Sequence, residues 1–170
     1  YCLLELNLRI KPRRRIKRDK PEALAVPTQI NSYWSMDFMS DTLACGRNIR
    51  SFNVIDDYNR ECLCLEVDFS MPTKRVIQSL DRIIEWRGKP MTIRSDNGPE
   101  YISEKLADWA SYHGIKLAFI QPGKPTQNAY IERFNRTARQ EWLELHLFES
   151  IEQAQALATK WQWIYNNERP

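Results

Sequence analysis

The 170-residue chain has no apolar run approaching the roughly 20 residues that cross a bilayer, which argues against a membrane helix. Its opening stretch, YCLLELNLRI, is apolar but too short and wrongly flanked for a signal peptide. There is no initiator Met, so the chain reads as a fragment of a longer protein, cut at both ends. Cysteine and histidine are scarce. Cys2, Cys45, Cys62 and Cys64 show no C-x-x-C spacing, and His113 and His146 are the only histidines. That leaves too few soft ligands in metal-binding spacing for a zinc site, and it fits reduced thiols in a cytosolic protein. There is no internal repeat, and low complexity is confined to one basic stretch.

What is present is ordinary globular composition with a lopsided charge. Hydrophobic content of 42% and charged content of 28% suit a single domain with a real core. The net charge of +3 hides an asymmetry. Residues 8–20, LRIKPRRRIKRDK, carry eight of the 25 basic residues and one of the 22 acidic ones, leaving 17 basic against 21 acidic elsewhere. A basic arm thus precedes a mildly acidic body. Such an arm is either a solubilising tail or a polyanion contact, since Lys and Arg on phosphates release condensed counterions. The proline-bearing DKPEALAVPTQIN reads as a linker. The domain organisation expected is therefore a basic arm and linker over residues 1–26 and a folded core over residues 27–170, with order setting in near Gln29.

Three runs with strand character follow: SYWSMDFMSD, NIRSFNVID and CLCLEVDFS, the last two joined by DDYNR as a hairpin turn. Asp56 and Asp57 fall in that turn and are expected to serve its geometry. A helix is predicted after Ser70 as N-cap, with Pro72 near its first position. Val76, Ile77, Leu80, Ile83 and Ile84 give it one apolar stripe, and Gly88 and Pro90 end it. MTIRSD is then a short buried strand. A second helix buries Leu106, Trp109 and Ala110 and stops at Gly114, and IKLAFI is a fifth strand. The loop QPGKPTQN leads into a helix predicted from about Thr126 to Trp142. A last helix opens on the capping box Ser150-Ile151-Glu152-Gln153 and buries Ile151, Ala154, Ala158, Trp161 and Tyr165. Trp161 and Trp163 cannot share a face, so one is expected in the core and the other outside as a candidate oligomer contact. The order β-β-β-α-β-α-β-α-α implies an α/β fold with a mixed five-stranded sheet and helices on its faces. The first helix is the crossover that makes the fourth strand parallel to its neighbour.

In open α/β sheets, sites form where strand carboxyl ends meet a crevice. Asp96 sits at such an end, in TIRSDNGPEYIS. Asp37 lies within the first strand, central in this topology, where a buried charge needs a partner or a metal. Glu132 lies in the helix TQNAYIERFNRTARQEW, anchored by Ile131 and Phe134. Three converging carboxylates suit hard divalent cations such as Mg²⁺ or Mn²⁺. Two such ions can hold the attacking and leaving oxygens of an in-line phosphoryl displacement. The assignment is Asp37 bridging, Asp96 on one ion and Glu132 on the other, with Asn97, Gly98 and Pro99 as a tight turn admitting a nucleic-acid backbone. Composition alone does not single these three acids out of 22.

The segments WSMD (Trp34 to Asp37), SDNGPEY (Ser95 to Tyr101) and PTQNAYIERFNRT (Pro125 to Thr137) resemble the integrase-core signature of the DDE transposases. The likeness is to bacterial insertion sequences encoded in two overlapping reading frames, specifically the second-frame product, and it extends to retroviral integrases. Thirty-five residues separate Asp96 from Glu132, the spacing of that group. The resemblance runs from about residue 27 to 170, and the arm around Arg13, Arg14 and Arg15 is similar to the segment before the core in such transposases. It implies a ribonuclease H-like fold and a DNA transposase using two Mg²⁺ or Mn²⁺ ions. The implied chemistry is nicking at the element's ends, then attack of a 3′-hydroxyl on target DNA. Asp37, Asp96 and Glu132 fall on the family's catalytic positions. Implied partners are transposon-end and target DNA, further copies in a homo-oligomer, and the upstream-frame DNA-binding region; the implied location is the bacterial cytoplasm, on DNA. The readings set against it are a ribonuclease H-like nuclease without strand transfer and a catalytically silent DNA-binding or assembly module.

Arg136 and Arg139 follow Glu132 by four and seven residues on the same helical face, and similar integrases carry DNA-touching basic residues at these offsets. Lys124, Gln127 and Asn128 complete the candidate DNA contacts, although Gln127 and Asn128 also suit a helix N-cap. Gly123 marks a mobile lip beside the site.

Overall fold

The computed structural model describes residues 26–120 and 128–168. Its sheet comprises β1 (Tyr33–Thr42), β2 (Asn48–Asp56), β3 (Cys62–Asp68), β4 (Thr92–Ser95) and β5 (Lys116–Phe119), with α1 (Thr73–Arg87) after β3, α2 (Glu104–His113) after β4, and α3 (Ala129–Ala138) and α4 (Ile151–Asn167) last. The strand order is β3-β2-β1-β4-β5. β1, β2 and β3 form an antiparallel meander, whereas β4 and β5 run parallel to β1. The fold is the mixed five-stranded sheet that the sequence pattern predicts and the ribonuclease H-like arrangement that the resemblance implies, with β1 in the middle.

Both faces of the sheet are covered, so β1 must satisfy two cores. Trp34, Met36, Phe52 and Val54 meet Val76, Leu80 and Ile83 of α1 and Leu106 and Trp109 of α2 on one side. Met39, Ile49, Ile55, Leu65 and Val67 meet Ile131, Phe134 and Ala138 of α3 and Ala154, Ala158 and Trp161 of α4 on the other. The period-2 alternation of a strand puts Trp34 and Met36 toward α1, and hence Ser35 and Asp37 toward α3.

The helix termini follow local chemistry with two departures. Ser103 caps α2 by accepting the Leu106 N–H, and Gly114 ends it at φ 67, a left-handed conformation that costs glycine little. α1 starts later than predicted: Pro72, not Ser70, occupies its N-cap position, with no side-chain cap. Pro72 fits because its missing N–H is one that the first turn would leave unused. At α4, the Ser150 hydroxyl accepts the Gln153 N–H, but the Gln153 side chain accepts from the Glu149 N–H instead of closing the box on Ser150.

The helix predicted to run to Trp142 ends at Ala138 and continues as a π-helical turn, Arg139–Leu143. A π-turn holds one more residue than an α-turn. The buried stripe Ile131, Phe134, Ala138 therefore moves on to Trp142 and Leu143 together. Trp161 is the core member of the final tryptophan pair, and Trp163 is 59% exposed. No helix among the described residues is long and apolar enough to cross a membrane.

α4 also covers the free edge of β3. Gln155, Gln162 and Asn166, on one stripe of the helix, bond backbone groups of β3 that no neighbouring strand uses. The Val67 N–H donates to Gln155 Oε1 at 2.7 Å, and Gln155 Nε2 donates to the Leu65 carbonyl at 3.1 Å. Asn166 takes the Cys62 N–H and returns a bond to its carbonyl, both at 2.9 Å, and Gln162 joins it there. An unpaired strand edge is a template for association, and these amides occupy it as a sixth strand would. Replacing Gln155 with Leu strands two backbone groups of β3. The expected outcome is a loss of about 1–3 kcal/mol, read as a lower urea midpoint, with concentration-dependent association by light scattering. An unchanged midpoint would mean that the amide does not hold the edge.

Candidate active site

The site builds on the placement of an acid inside β1. Asp37 pairs in register with Asn53 of β2 and is half-buried. One carboxylate oxygen accepts the Phe38 N–H at 2.8 Å. The other accepts from Asn135 Nδ2 of α3, also at 2.8 Å. Asn135 Oδ1 in turn accepts from Asn53 Nδ2 at 2.7 Å, and Asn53 is 0% exposed. A carboxylate can only accept. Asn135 must therefore present its nitrogen to Asp37 and its oxygen to Asn53, and the orientation of both amides follows from the ionisation of one acid. Asn135 and Asn53 are the residues that reading the sequence missed. The signal for Asn135 was its place three residues after Glu132, on the face that turns to β1.

Asp96 follows β4, exposed. Its carboxylate accepts the Gly98 N–H at 3.0 Å, a side-chain turn closed two residues on. Asn97 anchors this turn to the end of β5 through the Ile120 carbonyl at 2.9 Å. A Cβ at Gly98 would lie 3.1 Å from that Asp96 oxygen and 3.4 Å from the Tyr101 ring. A side chain there would press on Asp96 itself, so glycine suits the position. Tyr101, 1% exposed, stacks on Phe38 with centroids 5.0 Å apart. Burial, with the charges of Asp37 and Asp96, lifts its hydroxyl well above the usual tyrosine range. Arg50 lies 4.3 Å over the Phe38 ring and pairs with Glu100.

Glu132 stands exposed in the first turn of α3, where the helix dipole favours an acid. The pKa of Asp37 is raised from 3.8 to about 6, by burial first and then by the negative charges of Asp96 and Glu132, against the bonds from Phe38 and Asn135. Three acids from three elements thus share one electrostatic neighbourhood. None of them takes part in an ion pair among the described residues. No three His, Cys, Asp or Glu side chains among the described residues stand close enough to hold one metal ion. The donor chemistry, oxygen-only and short of positive charge, fits a hard divalent cation, while the carboxylates lie within electrostatic range and short of a closed ligand set.

The other candidates scatter. Arg136 is exposed one turn beyond Glu132. Arg139 opens the π-turn and donates to the Ser40 carbonyl at 3.3 Å, tying it to the end of β1. Asn128 stands at the N-cap position without capping and is 3% exposed, so its side chain faces inward. Arg13, Arg14, Arg15, Gly123, Lys124 and Gln127 lie outside the described residues. Asp56 does serve the hairpin, accepting the Tyr58 N–H, but Asp56 and Asp57 are both fully buried, which turn chemistry alone does not predict. Asp57 pairs with Arg94 of β4 at 3.0 Å, and burial lifts its pKa to about 6 despite Arg94 and Arg60.

Because Asp37 is harder to ionise in the folded chain than in the unfolded one, its contribution to stability is full below about pH 4 and is lost as pH rises through about 6. Asp37→Asn removes that loss. Measured by chemical denaturation in chelator, variant and parent should match near pH 4. The variant should gain on the order of 1–2 kcal/mol by pH 7 once solvent screening is allowed for. A difference flat with pH would mean that Asp37 titrates normally.

Comparison with known proteins agrees with the fold. Two family models, each described as an integrase core domain, match residues 27–125 and 113–170. The insertion element IS407 uncharacterized 31.7 kDa protein of Burkholderia multivorans is 42% identical over 162 residues, covering 93% of this chain and 58% of that protein. The insertion element IS476 uncharacterized 39.2 kDa protein of Xanthomonas euvesicatoria is 41% identical over 168 residues, covering 98% and 49%. The chain therefore spans about half to three-fifths of these relatives. Among solved structures, the simian T-cell lymphotropic virus intasome in complex with PP2A regulatory subunit B56 gamma matches with a TM-score of 0.68 at 21% identity, covering 82% of this chain and 49% of that one. The HTLV-2 integrase catalytic core domain in complex with magnesium matches with a TM-score of 0.65 at 17% identity, covering 84% and 90%. At such identities the structural matches speak for the fold alone, but the two family models and the insertion-element relatives reach further: this chain belongs to the integrase core domain family.

Proposed function

We propose that the chain is the catalytic core of an insertion-element DNA transposase, with Asp37, Asp96 and Glu132 as its acidic triad. What carries the reading is that Asp37, Asp96 and Glu132, from three separate elements, act on one another electrostatically while none takes part in an ion pair among the described residues. Such a concentration of uncompensated carboxylate is costly unless it serves a cation. Asp37, Asp96 and Glu132 would hold two Mg²⁺ or Mn²⁺ ions, and the relative named as an integrase core in complex with magnesium supports that choice. When bound, such ions supply Lewis acidity to a phosphodiester and ease ionisation of the attacking oxygen.

The chain's own residues do the positioning. Asn135, aligned by Asn53, turns one oxygen of Asp37 toward α3. The Gly98 N–H and the Asn97 anchor steady the Asp96 turn. α3 carries Glu132 and presents Arg136 beside it for DNA. The reaction proposed is nicking at the element's ends followed by attack of the freed 3′-hydroxyl on a target phosphodiester. The arm with Arg13, Arg14 and Arg15, together with Lys124 and Gln127, would add sequence-independent phosphate contacts. DNA, further copies of the chain and the upstream-frame DNA-binding region are its proposed partners.

The test is Asp37→Asn, Asp96→Asn and Glu132→Gln in the full-length transposase. Each is expected to lower cleavage and joining by at least about 10³-fold, the scale of a lost electrostatic group in a two-ion site, while keeping a cooperative thermal transition. Retention of both reactions by all three variants would sink the assignment. Nicked DNA without joined products from the parent protein would reduce the function to that of a nuclease.

A further inference from the structure

A second cleft lies on the far flank of α3. It has a volume of about 500 Å³ and is bounded by the β2–β3 turn, α3 and α4. Its polar lining divides by what is already committed. Glu61 accepts from Asn59 Nδ2 and pairs with Arg87, so its charge is neutralised within the protein. Both ends of the Asn166 amide bond Cys62. Two cations remain. Arg60 lies 3.3 Å over the Tyr130 ring, and its Nη1 is buried without an acceptor among the described residues. It is near enough to lower the pKa of buried Asp57, yet it makes no ion pair with that acid or any other among the described residues. Arg133 is exposed and forms no ion pair among the described residues either.

A guanidinium stacked on an aromatic face keeps its in-plane donors free for an oxyanion. With a second guanidinium on the same cleft, the pair suits a phosphate. At about 100° per residue, Tyr130, Arg133 and Thr137 form one stripe of α3, and Glu132, Asn135 and Arg136 form another about 140° away. We propose that this cleft is a phosphate subsite, holding a backbone phosphate of DNA on the flank of α3 opposite the acids. The choice of DNA rests on the transposase reading above; the choice of phosphate rests on the two uncommitted arginines.

The experiment measures binding of a fluorescein-labelled duplex of about 20 base pairs to the full chain in EDTA, across a salt series. It compares Arg60→Gln, Arg133→Gln and the double variant with Lys105→Gln, an exposed control on α2. Each single variant is expected to weaken binding about 3–10-fold near 0.1 M salt and to lower the log–log salt slope by about 0.9, the double by about twice that, with Lys105→Gln near the parent. Salt slopes unchanged in Arg133→Gln, a surface substitution that leaves folding intact, would overturn the proposal. The readout needs no metal and no turnover. The cleft can therefore pass while the triad fails, or fail while the triad passes.

Discussion

A carboxylate in the central strand of a sheet buried on both faces is the constraint around which this molecule is arranged. β1 leaves Asp37 half-buried, because α3 lies over that face. It cannot leave the acid unbonded, because a buried charge without partners costs several kcal/mol. The solution is the amide pair Asn135 and Asn53, which bonds the acid without neutralising it. A lysine or arginine there would have cancelled the charge. The acid stays hard to ionise and negative at neutral pH, a combination that is a stability defect in a purely structural strand and an asset where a cation is to be gripped.

α3 serves three neighbours at once, and its length reflects that. Ile131, Phe134 and Ala138 anchor it in the core shared with α4. Asn135 turns to β1, Glu132 stands at its first turn, and Arg133 lines the cleft beside the β2–β3 turn. An α-helix carried straight on would have swung either Trp142 or Leu143 out of the core. The π-turn at Arg139–Leu143 brings both in, and Arg139 at its start donates to the Ser40 carbonyl at the end of β1.

Much of the fold was legible along the chain because its signals are local. The run NIRSFNVID matches β2 to the residue, and Gly114 ends α2 as capping chemistry requires. The stripe of α4 held from Ile151 to Tyr165. Two failures were choices among near neighbours: Ser70 lost the α1 cap to Pro72, and Gln153 turned to Glu149. In the third a distant element decided, as Asp57 found Arg94 thirty-seven residues away. Asn53 and Asn135 carried no marker of their own, since an asparagine becomes a site residue only when another strand or helix faces it.

What the sequence determined by itself was the period of each segment and the three acid-bearing motifs in their order, because periodicity, caps and turns depend on neighbours a few residues apart. Only tertiary structure decided that Asp37 answers to Asp96 and Glu132, that its amide bridge comes from α3, and that α4 closes the edge of β3. Each of these depends on electrostatics or hydrogen bonds between residues brought together by sheet order and helix crossing, and such distances are not written in the spacing of residues along a chain.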